Sequence, residues 1–378
     1  MMRQLLGALA AFSFAQALLY SQGTLSTQGF GYPPGQLSAR AQGSAGAIAE
    51  IDPLSPVNPA SLAGWERSGV YFQYSPEFRR VLGTGDDTER SFVSRFPVIA
   101  AALTISERAM LGVSVSTLLD NTWQTESKLL VGQGSDTSTA LTLFRSSGAI
   151  NDIRLGGSYI VRNSFRVGLG FHVFAGESRR RREISFSDST RLSFAQNEAF
   201  GFSGKAVSGG IEWRPATFLS IGASGRIGGR ITASRGDSAL RRTDAPTRGG
   251  VGLHYRGIAG TLLAARAEWQ NWSSLADLSE RAIATHDSWD MSFGAETRGP
   301  RWFGYDIPVR AGARFRTLPY GTPDGGKVRE TGISAGFGLP LARNRASADF
   351  TVERDLRRGS QSFRERAWTL SFGFLIRL

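Results

Sequence analysis

The chain has 378 residues, 41% of them hydrophobic, with 46 glycines and no cysteine; its formal charge of +12 comes from 44 Lys+Arg against 32 Asp+Glu. The lack of cysteine excludes a disulfide scaffold, a cysteine-ligated zinc site and a thiol nucleophile, and a hydrophobic share this low excludes a bundle of membrane-spanning helices. Length alone suggests two or three soluble domains, although all-β barrels run longer as single units.

Met1 to Gln22 opens with Arg3, runs through the apolar stretch Leu5 to Phe14 and reaches Ala15-Gln16-Ala17, the small-x-small pattern read by signal peptidase. Residues 1–17 are therefore expected to be a cleaved signal peptide. A membrane anchor is the alternative, but it needs about 20 apolar residues where this core has about ten. Export leaves a periplasmic protein or an outer-membrane barrel, and it removes nucleic acid as a partner.

Residues 18–67 are not strand-like. They hold an Ala/Gly-rich run, Ala39-Arg40-Ala41-Gln42-Gly43-Ser44-Ala45-Gly46-Ala47-Ile48-Ala49-Glu50, and then Asp52-Pro53-Leu54-Ser55-Pro56-Val57-Asn58-Pro59-Ala60-Ser61-Leu62-Ala63. Read for local structure alone, Asn58 caps a short helix whose first turn begins at Pro59.

From Ser68 onward, segment after segment alternates with the two-residue period of a strand. Trp368, Leu370, Phe372, Phe374, Ile376 and Leu378 share one face. Phe165, Val167, Leu169, Phe171 and Val173 alternate with Arg166, Gly168, Gly170 and His172, and Val309, Ala311, Ala313 and Phe315 with Arg310, Gly312, Arg314 and Arg316. The arginines keep phase with the small residues. In a transmembrane barrel one face meets lipid, where an arginine at mid-plane costs about 2–4 kcal/mol, and the lumen face tolerates charge. That cost accounts for the phase, and charges interleaved through strands form no nucleic-acid recognition patch.

Six short breaks separate paired segments: Ser106 to Arg108, Arg162-Asn163, Arg214 to Thr217, Gly257 to Gly260, Gly299 to Asp306 and Ala342 to Arg345. Seven longer polar stretches lie between them: 79–94, 120–149, 176–197, 231–246, 271–287, 318–326 and 357–362. With short turns inside the envelope and long loops outside, six and seven give 14 strands. Strand-like runs within 123–147 and 183–194 are assigned to hairpins extending above the membrane; 16 strands is the alternative count. Trp213, Trp269, Trp272, Trp289, Trp302, Phe303, Tyr305 and Trp368 are placed near strand ends, where aromatic rings prefer the membrane interface.

The Ala/Gly-rich run, the acid and the Asn-Pro-Ala-x-Leu element resemble the N-terminal hatch of the FadL/TodX-type outer-membrane transport proteins. The likeness extends to Val309-Arg310-Ala311-Gly312-Ala313-Arg314, Leu318-Pro319-Tyr320 and Ile333 to Pro340 in the C-terminal third, phrases shared with PorV-like barrels. The chain departs from the common pattern at Leu378, where barrel-assembly signals usually end in Phe or Trp. The resemblance implies an all-β fold: a transmembrane antiparallel β-barrel of about 14 strands (68–378) with an N-terminal hatch (18–67) in the lumen. It also implies passive uptake of hydrophobic or amphipathic small molecules, of the long-chain fatty acid or aromatic hydrocarbon type, with exit through a lateral opening at a kinked wall strand. Asn58, Pro59 and Ala60 become gating candidates, and Ser75-Pro76 and Phe96-Pro97 candidate kinks or simple edge bends. The alternative is a PorV-like secretion or assembly partner that transports nothing.

The implied setting is the outer membrane of a Gram-negative-type bacterium, and the expected form a monomer. Its partners there would be membrane lipid, lipopolysaccharide, a hydrophobic ligand and the barrel-assembly machinery. Arg179-Arg180-Arg181-Arg182 is read first as a solvated charge run and second as a site for lipopolysaccharide phosphates. No catalytic residue, cofactor or metal is expected. His172, His254 and His286 are well separated, and no Gly-x-Ser-x-Gly elbow, phosphate loop or metal-spaced cluster accompanies them.

Overall fold

The computed structural model describes residues 30–82, 88–133, 136–188, 191–278, 284–302, 304–322, 325–359 and 363–378, and in it fourteen antiparallel strands close into one barrel. The predicted signal peptide lies outside the described residues. In chain order the strands are β1 (Gly69–Tyr74 and Glu77–Leu82), β2 (Thr88–Val93 and Val98–Thr104), β3 (Ala109–Asp120 and Trp123–Gln133), β4 (Asp136–Arg162), β5 (Phe165–Phe186), β6 (Phe194–Ala216) and β7 (Leu219–Arg235). They continue with β8 (Ser238–Asp244 and Arg248–Ile258), β9 (Thr261–Gln270), β10 (Ser288–Trp302), β11 (Tyr305–Thr317), β12 (Arg329–Leu341), β13 (Ala346–Arg358) and β14 (Arg364–Arg377). Each strand pairs with the next, and β14 returns to β1 with Val70 opposite Ile376 and Arg80 opposite Arg366.

The strand-like runs in the long connections are continuations and not extra strands. Trp123–Gln133 prolongs β3 against the start of β4, and 179–186 prolongs β5 against 140–147 of β4. The count is therefore 14, and Arg179 to Arg182 lie in a strand that rises beyond the others.

Alternation sorts the side chains as the cost of charge in lipid requires. Leu169 is 75% exposed and Ile227 68%, whereas Arg310, Arg314, Arg248 and Arg266 are each 5% or less exposed. Apolar outside, charged inside, with an even strand count, is the arrangement of a bacterial outer-membrane barrel. Trp213, Trp289 and Trp368 face outward near strand ends. Trp272 does not: it lies in a 3-10 helix, Trp272–Leu278, and is buried.

Candidate functional site

Residues 30–65 run inside the barrel, and small side chains let them approach its wall. Ala39, Ala41, Ala45, Ala47 and Ala49 are fully buried. Ser38 caps the single-turn helix α1 (Ala39–Gln42), its Oγ accepting from the Ala41 N–H at 3.0 Å and donating to Asp52 Oδ2 at 2.6 Å. Burial raises the Asp52 carboxyl above the usual carboxylate range, against the opposing pull of Arg40 and of the Ser38 and Ser55 hydroxyls.

Asn58 caps the 3-10 helix Pro59–Trp65 as the sequence suggested, with Oδ1 accepting from the Ala60 N–H at 3.0 Å. Its Nδ2 donates to the Glu50 carbonyl at 2.9 Å and, across to the wall, to the Ile211 carbonyl of β6 at 3.1 Å. Two wall glycines make the approach possible. A Cβ on Gly168 would stand 2.3 Å from the Ala60 nitrogen, and one on Gly210 would stand 1.9 Å from Asn58 Oδ1.

Ion pairs complete the seat. The fully buried Glu50 accepts from Arg248 at 2.8 Å, Arg266 at 3.4 Å and the Ser224 hydroxyl at 2.7 Å, and Arg248 also donates to the Val57 carbonyl at 3.1 Å. Both arginines are shared with Glu268. Arg40 pairs with Glu296 at 3.1 Å, and Gln36 donates to Ser116 and Asp152 at 2.7 and 2.9 Å. Ser334 and Thr351 donate to the Gly43 and Ala39 carbonyls at 3.2 and 2.8 Å.

One junction of the wall is incomplete. Pro76 and Pro97, which lack an N–H, stand where β1 and β2 break. The Thr117 N–H donates to the Pro97 carbonyl at 3.1 Å. Beyond that point Thr88–Val93 pairs with Glu77–Leu82 and Trp123–Gln133 pairs with β4, while no ladder joins the two facing edges among the described residues. The free edge of β3 at Asp120 is taken from the lumen by Tyr32, the two residues exchanging both backbone hydrogen bonds at 2.8 Å.

Tyr32 is caged. The guanidinium carbons of Arg79, Arg95, Arg316 and Arg357 lie 5.1, 5.3, 5.3 and 4.3 Å from its ring centre. Its hydroxyl donates to Glu330 at 2.8 Å and accepts from Arg357 at 2.6 Å and from Arg316. Arg95 spans the break, reaching Glu77 on one side and Asp120 at 2.5 Å on the other. Side chains and the N-terminal segment thus stand in for the missing ladder. Neither Tyr32 nor Asp120 was singled out from sequence, because the break that gives them meaning is a property of strand pairing.

Next to Tyr32, Phe30 enters an apolar cluster with Ile150, Phe174, Phe202, Trp272 and Tyr320. Between the N-terminal segment and β8 to β11 lies a cavity of about 50 Å³ bordered by Gln36, Leu37, Val57, Arg248 and Arg266. That volume suits water and is far below the ~300 Å³ of a small-ligand pocket.

His172 bonds Asp152 at 2.7 Å through Nδ1 and Ser208 at 2.8 Å through Nε2. This is the connectivity of a nucleophile relay, although Asp152 also accepts from Arg226 at 2.9 Å and from Gln36. The relay ends on a residue of the N-terminal segment and supports its seat. Of the four arginines 179–182, Arg179 and Arg181 pair with Glu177 and Glu183 at 2.7 and 3.0 Å, and Arg180 and Arg182 lie over Phe200 and Phe144. No group of three metal-ligating side chains occurs among the described residues.

Solved structures share this architecture. A FadL homologue of Pseudomonas aeruginosa matches with a TM-score of 0.64 at 13% identity, over 92% of this chain and 99% of that one. The toluene transporter TodX of Pseudomonas putida matches at 0.56 and 12% identity, over 92% and 99%. CymD, a monoaromatic hydrocarbon channel, matches at 0.53 and 13%, over 92% and 98%. The likeness is one of fold. No family model matches the chain, and no curated protein matches it in sequence.

Proposed function

We propose that the chain is an outer-membrane channel for passive uptake of hydrophobic or amphipathic small molecules, with its N-terminal segment as a hatch. The observation that carries this reading is the unladdered junction between β2 and β3, closed from inside by Tyr32. A cargo molecule enters the apolar cluster around Phe30 and Phe174 and meets below it a lumen filled with paired arginines and carboxylates. Continuing through that polar interior would forfeit about 0.8 kcal/mol for each methylene left unburied. A sideways step through the β2–β3 junction into the lipid keeps that contact, so withdrawal of Tyr32 from Asp120 is the gating motion. Asn58, Pro59 and Ala60, wedged against Gly168 and Gly210, are the pivot on which the hatch stays seated. Two of the three matched proteins named above are a transporter and a channel, in keeping with a role in transport.

The test is reconstitution of the full chain in phospholipid vesicles. Entry of a fatty acid or an aromatic hydrocarbon should accelerate over protein-free vesicles, and deletion of residues 38–62 should change conductance. A rate equal to that of empty vesicles, with neither ligand bound, contradicts the reading. Stoichiometric co-purification of a secretion component with a lumen that stays shut would favour the PorV-like alternative.

A further inference from the structure

The outward face of β12, β13, β14 and β1 near the external end of the barrel carries arginines in rows. Arg358 of β13 stands directly opposite Arg329 of β12 and Arg364 of β14. Two residues further toward the membrane interior, Arg366 of β14 stands opposite Arg80 of β1. Like charges directly across a ladder repel, and on a lipid-facing surface they meet little water to screen them. Among the described side chains, the acids of these strands offer no relief, because Glu77, Glu330, Asp349, Glu353, Asp355 and Glu365 are all buried on the lumen face. None of Arg80, Arg354 and Arg366 makes an ion pair among the described residues, and Arg354 Nε is buried without a hydrogen-bond partner.

Below the rows the wall changes character. Arg354, Trp368, Phe78 and Phe92 follow one another across four strands, with Arg354 over the Trp368 ring at 5.4 Å and the Phe78 and Phe92 rings 5.1 Å apart. Together with Arg80, Ser91 and Arg366 they border an open concavity of about 470 Å³ on the outer surface. Guanidinium groups above an aromatic shelf, at the level where the strands leave the membrane, match a ligand with anionic oxygens at its head and acyl chains below. Arginine suits such oxygens because its planar fork bonds them in pairs, and Trp and Phe rings settle at the interface between headgroup and chain.

We infer that this face binds a phosphorylated lipid of the outer leaflet, with Arg80, Arg354 and Arg366 holding a phosphate and Phe78, Phe92 and Trp368 packing against the acyl chains. The site adjoins the β2 edge of the wall junction, so its lipid flanks the route by which cargo would leave the barrel. The inference does not depend on cargo passing; it needs only the register and the outward face.

The experiment is native mass spectrometry of the full-length barrel in detergent, with diphosphoryl lipid A as the probe. The unaltered protein should retain the lipid, and the triple variant Arg80→Gln, Arg354→Gln, Arg366→Gln should lose retention at least tenfold while still showing the heat-modifiable gel migration of a folded barrel. Removing charge from a lipid-facing wall should not hinder folding, and thermal stability in phosphatidylcholine vesicles gives a second measurement. Added lipid A should stabilise the unaltered protein and not the variant. Equal retention of a dephosphorylated lipid with the same chains would overturn the inference, since apolar contact would then suffice. Complete displacement by inorganic phosphate would overturn it as well, leaving a general anion site. A third contrary result would be loss of retention in a variant with Arg179 to Arg182 replaced by Gln and none in the triple variant, which would move the phosphate to the extended strand.

Discussion

Replacing Glu50 with Gln should loosen the seat of the N-terminal segment without unfolding the barrel. Glu50 and Glu268 face Arg248 and Arg266, two negative charges against two positive, all within the lumen and nearly inaccessible to solvent. The amide keeps the shape and can still meet Ser224, but the quartet is left with one uncompensated positive charge. Breaking a buried pair in this way costs about 3–5 kcal/mol, and because Glu268 still serves both arginines the lower end applies. The other named hydrogen bonds of the seat, from Asn58, Gln36, Ser334 and Thr351, contribute about 1 kcal/mol each, so the segment stays bound most of the time. A loss of about 3 kcal/mol from the closed state corresponds to a roughly 100-fold rise in the open population. Single-channel recording in planar bilayers reads this directly as open probability, with Glu183→Gln on the extended β5 as the unchanged control. If E50Q opened no more often than the parent, the ion quartet would not hold the closed state and the reasoning would fail.

Three further outcomes follow from the same geometry. Gly210→Ala drives a methyl into Asn58 Oδ1, so it should cost about 1–3 kcal/mol of seating and raise protease cleavage within residues 38–62; Gly209→Ala, whose Cβ finds nothing nearer than 3.8 Å, should behave as wild type. Leu169→Arg puts a charge on the most lipid-exposed part of β5 and should destabilise the refolded barrel by about 2–4 kcal/mol in denaturant titrations in vesicles, the mid-plane cost of arginine; a shift near zero would mean that this face does not meet lipid. Ser208 should take no label from a fluorophosphonate probe, since its bond to His172 supports Asp152 and Gln36 instead of a reacting substrate; covalent labelling abolished by Ser208→Ala would contradict that role.

Strand phase was legible because lipid enforces it: every charged residue of Val309 to Arg316 had to face inward, and each does. The short turns were legible too, since Arg162-Asn163 and Gly257 to Gly260 punctuate the alternation. What periodicity could not locate was the end of each strand, as the rule that sets phase lapses above the membrane, where β3, β4 and β5 continue as polar ladders. For the site, Asn58-Pro59 announced a cap by its chemistry alone. Its wall partners Gly168 and Gly210 read as part of a general glycine phase and gained meaning only through close approach. Tyr32, Arg95 and Asp120 lie far apart in sequence; Phe96-Pro97 beside Arg95 marked a candidate kink, but not that the β2–β3 ladder stops there or that Tyr32 meets Asp120. His172 was correctly placed on the lumen face, yet its bonds to Asp152 and Ser208 come from neighbouring strands whose stagger sequence does not reveal.

The central claim, that withdrawal of Tyr32 from the β3 edge opens the channel, is tested most directly by locking that contact. Tyr32 and Asp120 form a hydrogen-bonded antiparallel pair, whose Cα separation of about 5.5 Å is within the span of a disulfide, and the chain has no other cysteine to interfere. In vesicles carrying Tyr32→Cys, Asp120→Cys, oxidation should stop hydrocarbon entry and reduction should restore it, while each single variant transports under both conditions. Uptake that continues at the reduced rate with the disulfide fully formed would contradict the account.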